Sequence, residues 1–237
     1  MKYGNISTSV DTDSLNNADQ LSATFFYFGC NFKCGFCHNY TTLGTVKDIL
    51  SKNQIELVLR NAKQNWIKTI VISGGEPTID PNLPDFLKML KKKGFRTKLD
   101  SNGSNPQVLE NLLQNELVDY IAMDIKGTQD QYKEITKFSD VKKIQSSIDL
   151  IQTMKEYEFR TTVIPLYHNQ KKLLEIGEWI KGSNLYALQQ FRPDLEQGCL
   201  DKKFEQEPTY SQKELNAFGE ILKPYFKEVK IRCRQGG

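Results

Sequence analysis

The sequence contains no apolar run approaching the roughly 18 residues of a membrane-spanning helix. Its N-terminus is polar and has no apolar signal-peptide core, so a cytoplasmic protein is expected. Neither sign of charge dominates: 32 Lys and Arg against 29 Asp and Glu leave a net +3. That balance points to neither a nucleic-acid partner nor a membrane surface. Repeats of solenoid length are absent, and so is any low-complexity linker, which argues for one domain over 1–237. Cysteine is sparse, with five in 237 residues, and without a secretory signal these do not read as a disulfide framework. What remains is a globular composition, 38% hydrophobic and 26% charged.

Short apolar runs, β-branched at 69–73, alternate with amphipathic stretches. Strands are expected at 22–28, 69–73, 95–99, 118–125, 159–164 and 185–191, with a last short one at 229–231. Helices are expected at 55–63, 83–92, 106–114, 141–157, 171–180 and 211–223. Asp80-Pro81 reads as a start signal and Asn105 as an N-cap. Lys91-Lys92-Lys93 falls where it complements a helix dipole. Regular β–α order implies a parallel sheet with helical crossovers, so the expected fold class is α/β, an incomplete (β/α)6 barrel. Residues 1–21 read as an N-terminal strap and 205–237 as a C-terminal extension. In such folds functional groups gather at the C-terminal ends of the strands. The distinctive residues fall there: Cys30, then Gly74-Gly75-Glu76, then Asp100, then Asp124.

Cys30, Cys34 and Cys37 have the spacing C-x3-C-x2-C. Thiolates hold iron–sulfur clusters, and three close cysteines can ligate three irons of a [4Fe–4S] cube and leave the fourth open to an amine and a carboxylate. Other readings exist. Cys34-Gly35-Phe36-Cys37-His38 matches a c-type haem attachment run. A redox dithiol would leave Cys30 unexplained. A zinc site would need His38 as its fourth ligand, whereas zinc ligands usually come from two separated knuckles. Buried free thiols are the plainest alternative. Cys199 and Cys233 stand alone, too few for a second cluster. Gly74-Gly75-Glu76-Pro77 could be an ordinary strand-to-helix turn, or a place where backbone comes close to a ligand and Glu76 accepts from an ammonium group.

The order CNFKCGFCHN, SGGEP, LDSNG and MDIK resembles the radical S-adenosylmethionine superfamily. Within it, the stretch from Cys30 to Arg192, including FRTTVIPLYH and YALQQFRP, resembles the activating proteins of anaerobic ribonucleoside-triphosphate reductases, relatives of the pyruvate formate-lyase activases. The resemblance implies that Cys30, Cys34 and Cys37 ligate the cluster. It places Phe36 beside the adenine of S-adenosylmethionine, and Gly74, Gly75 and Glu76 at the methionine amine. It places Asp100, Ser101 and Asn102, with Asp124 and Lys126, near the ligand. In formate-lyase activases the two aspartates help form a monovalent-cation site. His168 could touch the adenosine or the partner, although a surface histidine is the plainer expectation. Gln189, Gln190 and Arg192 face the expected cavity mouth.

The implied activity is reductive cleavage of S-adenosylmethionine and transfer of a radical to a glycine of a partner enzyme, an anaerobic ribonucleotide reductase. The electron would come from a flavodoxin or a ferredoxin-type donor. Two rival readings are a radical enzyme acting on a small molecule and a non-catalytic metal-binding module. One departure stands out: residues 10–20 (VDTDSLNNADQ) lack the Asp-x-Pro-Gly turn common in related activases.

Overall fold

Strands and helices alternate along the chain as the apolar periodicity requires. The computed structural model describes residues 3–13, 21–43, 49–193 and 198–233. Its strands are β1 (Ile6–Asp13), β2 (Ser22–Tyr27), β3 (Thr69–Gly74), β4 (Arg96–Ser101), β5 (Tyr120–Asp124), β6 (Tyr157–Val163), β7 (Leu185–Gln190) and β8 (Glu228–Arg232). Its α-helices are α1 (Lys52–Gln64), α2 (Leu83–Lys92), α3 (Pro106–Gln114), α4 (Tyr132–Thr136), α5 (Val141–Gln152), α6 (Gln170–Trp179) and α7 (Gln212–Leu222). Hydrogen-bonded neighbours follow chain order from β1 to β8, so the sheet is open. β2, β3 and β4 pair in parallel, as do β6, β7 and β8. The fold class is the expected α/β, and the six expected strands are β2 to β7.

Two compact units are distinguished: Met1–Asn31 with Asn39–Ser101 and Asn105–Ile121, and Phe32–His38 with Asn102–Ser104 and Ala122–Gly237. In the first unit, the parallel strands β2, β3 and β4 bury both faces, as parallel strands do. Ala23, Phe25, Ile70, Ile72 and Leu99 are fully buried. Phe25 and Tyr27 meet Phe86 of α2 edge-on, with centroids 5.4 and 6.3 Å apart. The opposite face carries Thr24, Val71 and Lys98, which stand in register across β2, β3 and β4. α1 starts at a capping box in which Ser51 and Gln54 satisfy each other's backbone. The lysine run does more than complement a dipole: Lys91 pairs with Asp119 at 2.6 Å and Lys93 with Glu56 at 2.9 Å.

The part of the expected strap at Ile6–Asp13 is a strand, β1, antiparallel to β2. Its sequence ISTSVDTD hides the signal, because an edge strand needs little apolar surface. The rest of the strap, 14–20, lies outside the described residues.

In the second unit, Tyr186 is buried, donates to Thr161 at 2.7 Å and packs on Phe226 at 4.8 Å. The helix expected over 141–157 stops at Gln152, and Tyr157 already opens β6. Glu158, inside β6, is buried and accepts from both guanidinium nitrogens of Arg232 in β8 at 2.6 and 3.1 Å, across the intervening β7. No helix among the described residues is long and apolar enough to cross a membrane.

Candidate active site

In the first unit the candidate residues lie where β2, β3 and β4 end. Gly75 N–H donates to Tyr27 O at 2.9 Å and Glu76 N–H to Gly29 O at 2.8 Å. The glycine segment therefore lies flat against the backbone that leads into Cys30. A Cβ on Gly74 would overlap the backbone of Tyr27, and one on Gly75 would overlap the Gly29 carbonyl. Gly74 also has φ +110°, which disfavours any side chain. The glycines thus serve a close approach of backbone to backbone.

Glu76 is buried. Its Oε1 accepts from Thr78 N at 3.1 Å, Thr78 Oγ1 at 2.5 Å and Ser101 Oγ at 2.9 Å. Asn105 continues the chain by donating to Thr78 Oγ1 at 2.9 Å. It sits at the N-cap of α3 but makes no capping bond, so its expected capping role is replaced by this contact. Three donors on one oxygen hold the carboxylate in a fixed orientation. Asp100 accepts from Ser73 Oγ at 2.9 Å and has Lys98 Nζ at 4.0 Å.

The second unit holds Cys34 and Cys37, whereas Cys30 belongs to the first. Cys37 N–H donates to Cys34 O at 3.1 Å, closing the turn between them. Lys33 N–H donates to Thr136 O at 2.8 Å, at the end of α4. On its other side the loop receives Leu200 N–H at Cys37 O (3.2 Å) and Asp201 N–H at Gly35 O (2.8 Å). His38 Nδ1 donates to Gly198 O at 2.9 Å and lies 3.8 Å from Cys199 Sγ. The rings of Tyr167, Phe191 and Phe204 surround Phe36, with centroids 6.4, 6.4 and 6.0 Å away. Lys126 Nζ stands 6.0 Å from the Phe36 ring. Burial pushes the Cys34 thiol up to about 11, with Lys126 working in the opposite direction. No three His, Cys, Asp or Glu side chains among the described residues are close enough to hold a single metal ion. A cubane does not need that closeness, because each thiolate takes a different iron.

Asp124 accepts from Arg160 Nε at 2.9 Å and from Lys126 Nζ at 3.0 Å. Burial works against its charge, but these two cations outweigh burial and hold its carboxyl down at about 2. Lys126 is disfavoured as an ammonium by burial, yet Asp124 and Cys34 keep it charged well above the usual lysine range. Asn102 closes a local turn by accepting from Ser104 N–H at 2.9 Å.

His168 is not the surface residue the sequence suggests; it is fully buried. Its Nδ1 accepts from Ile164 N–H at 3.0 Å and its Nε2 donates to Lys126 O at 3.2 Å. Both ring nitrogens are engaged by backbone, and the ring stays neutral because burial pulls its pKa down to about 4. Among the mouth candidates, Gln190 donates to Tyr210 O at 2.9 Å, while Gln189 and Arg192 are half-buried. Sequence reasoning missed Lys98, Ser73 and the segment 198–204. Ser73 opens SGGEP but has no role in the reading of that motif, Lys98 and 198–204 carry no motif, and only the strand register or the long-range backbone bonds bring them in.

Residues 24–180 match the family model described as the radical SAM superfamily. A Methanocaldococcus jannaschii protein, named provisionally as a glycyl-radical enzyme activating enzyme, is 35% identical over 98% of this chain and 97% of its own length. The pyruvate formate-lyase-activating enzyme of Streptococcus mutans is 29% identical over 72% of this chain and 70% of its own. The crystal structure of Streptococcus suis SuiB bound to precursor peptide SuiA has the same fold, with a TM-score of 0.68 and 15% identity. That match covers 89% of this chain and about half, 48%, of the larger SuiB chain. By the family match and the nearly full-length relative, the chain belongs to the radical SAM superfamily, in the family of glycyl-radical enzyme activating enzymes.

Proposed function

We propose that this enzyme installs a glycyl radical in a partner, and that the partner is an anaerobic ribonucleoside-triphosphate reductase. The observation that carries the first part is the end-to-end relationship to the glycyl-radical enzyme activating enzyme. The reductase is favoured by the likeness of FRTTVIPLYH and YALQQFRP to that activase group. Membership of the superfamily implies a [4Fe–4S] cluster and S-adenosylmethionine. The residues present fit both groups. The cysteine loop has tight turns and is tied down on two sides by backbone bonds, and the Glu76 carboxylate is buried and oriented by Thr78 and Ser101. Cys30, Cys34 and Cys37 would hold the cluster, leaving one iron without a protein thiolate. Glu76 would take the methionine ammonium. Lys126 would sit beside the ligand, with its charge fixed by Asp124. Cluster and S-adenosylmethionine together supply a one-electron cleavage that yields a hydrogen-abstracting radical, with the electron delivered by a flavodoxin or a ferredoxin-type protein.

The chain's own part is to bind, orient and shield. Glu76 is oriented by Ser101 and Thr78 before any ligand arrives, so little reorganisation is needed on binding. Phe36 with Tyr167, Phe191 and Phe204 forms an apolar wall behind the cysteine loop. Such a wall keeps water from the reacting centre. His168 holds the backbone of Lys126 and has no ring nitrogen left to offer an adenosine.

The test is anaerobic incubation of the reduced, cluster-loaded protein with S-adenosylmethionine and the reductase from the same source, followed by electron paramagnetic resonance. A doublet that collapses when the partner's glycine is deuterated supports the reading. Cleavage of S-adenosylmethionine with no radical on the reductase, but one on a formate-lyase-type partner, reassigns the partner.

A further inference from the structure

Lys98 lies inside β4 with 5% of its side chain exposed, and its ammonium is 4.0 Å from Asp100 Oδ1, whose side chain is 8% exposed. Residues two apart on a strand share a face, so Lys98 stands directly behind Asp100 on the line toward the strand's end. Val71 is the register partner of Lys98, which puts Ser73 beside Asp100, where it donates to Oδ2 at 2.9 Å. The ring of Tyr120 accepts the ammonium on its face at 5.3 Å. Taking an ammonium out of water is expensive, and a methionine would fill the same space without that penalty. The charge of Lys98 therefore has an electrostatic task, and Asp100 is the group it serves.

The family resemblance implies an exchangeable monovalent cation held by Asp100 and Asp124. The residues present do not fit it. Asp100 already has a lysine ammonium beside it, and Asp124 has two protein cations, Arg160 and Lys126, within 3.0 Å. We infer that Lys98 is a resident cation, a fixed ammonium that balances Asp100, and that S-adenosylmethionine binding by this protein requires no added monovalent ion. The inference rests on reading these strand ends as the S-adenosylmethionine site.

The experiment is anaerobic equilibrium dialysis of S-adenosylmethionine against the cluster-loaded protein. It uses tetramethylammonium, sodium and potassium chloride at equal ionic strength. The wild-type dissociation constant should agree within about twofold across the three salts, whereas a cation-requiring site would tighten by about tenfold or more in sodium or potassium. Lys98→Met should bind about tenfold more weakly in tetramethylammonium and recover in potassium or sodium, because an ion can then enter beside Asp100. Tightening of the wild type by sodium or potassium overturns the inference and leaves the site reading intact. Lys98→Met that binds like the wild type in all three salts also overturns it. If Lys98→Met does not fold, Lys98→Arg, which keeps the charge, should stay independent of salt. No binding of S-adenosylmethionine in any salt overturns the site reading itself, and this inference with it.

Discussion

Gly75 lies against Gly29 so closely that a Cβ on Gly75 would overlap the Gly29 carbonyl oxygen. The two ends of β2 and β3 are joined there by Glu76 N–H to Gly29 O at 2.8 Å. Backbone cannot give way as a flexible side chain can. Gly75→Ala should therefore destabilise the protein by about 1–3 kcal/mol, the usual penalty for overpacking. It should also displace the segment leading into Cys30, so iron content after anaerobic reconstitution should fall. Urea unfolding and iron analysis check both; a variant as stable and as iron-rich as the wild type would contradict the contact.

Glu76 binds three protein donors as well as its proposed ligand, which separates two substitutions that sequence alone would treat alike. Glu76→Ala should weaken S-adenosylmethionine binding by about 1.5–3 kcal/mol, the range for a hydrogen bond to a charged group. It should also lower stability, since Thr78 and Ser101 lose their acceptor. Ser101→Ala removes one orienting donor and should cost about 1 kcal/mol in binding, with the cluster retained. Anaerobic titration of each variant gives the comparison. Equal losses for both would show that Ser101 touches the ligand itself.

The strands β2 to β7 were legible because each holds a short apolar stretch between turn residues, at its clearest in the β-branched run of β3. Their ends then located Cys30, Glu76, Asp100 and Asp124 without coordinates. β1 was not legible, since Ser, Thr and Asp dominate it and it pairs with a neighbour on one side only. Lys98 and His168 were illegible for another reason. A lysine in a strand usually faces solvent, and only the register with Val71 and the bond from Ser73 to Asp100 on the same face reveal that this face is interior. The histidine depends on a bond to Lys126 spanning 42 residues of sequence, which no local pattern encodes.

His168 gives a pH dependence. Its ring accepts from Ile164 N–H through Nδ1, and that bond exists only while Nδ1 carries no proton. Burial, with Lys126 nearby, lowers its pKa to about 4 from the usual 6.5. Between those values the unfolded chain binds a proton that the folded chain does not. Its contribution is therefore fully present above pH 6.5 and is lost as pH falls toward 4. The shift corresponds to about 3 kcal/mol by linkage. Urea unfolding of the metal-free protein should show stability falling from pH 7 to pH 4.5. His168→Leu should be less stable by about 1–3 kcal/mol at pH 7, with Ile164 N–H and Lys126 O unsatisfied, and should show a shallower acid slope. An unchanged slope would mean that other groups set the acid response.

The cysteine loop is held from behind by a segment far away in sequence, and this sets different expectations for its neighbours. Ala at Cys30, Cys34 or Cys37 should abolish binding of the about four irons of a reconstituted cube. Cys199 is buried, and its thiol is pushed up to about 11, chiefly by burial, which disfavours the thiolate a metal needs. Cys199→Ser should therefore keep full iron content. Phe204 is the more sensitive position. Its ring packs on Phe36 at 6.0 Å and covers Gly35, while Asp201 N–H and Leu200 N–H bond the loop carbonyls. Phe204→Ala would open a cavity under Phe36 and should cost about 3–5 kcal/mol, as large aromatic truncations do. With the loop loosened, chelators should strip iron from this variant faster than from the wild type, and Phe204→Leu should fall between them. Iron-release kinetics measured anaerobically decide the point: equal rates for the wild type and Phe204→Ala would show that the turn at Cys34–Cys37 and the bond from Lys33 to Thr136 hold the loop unaided.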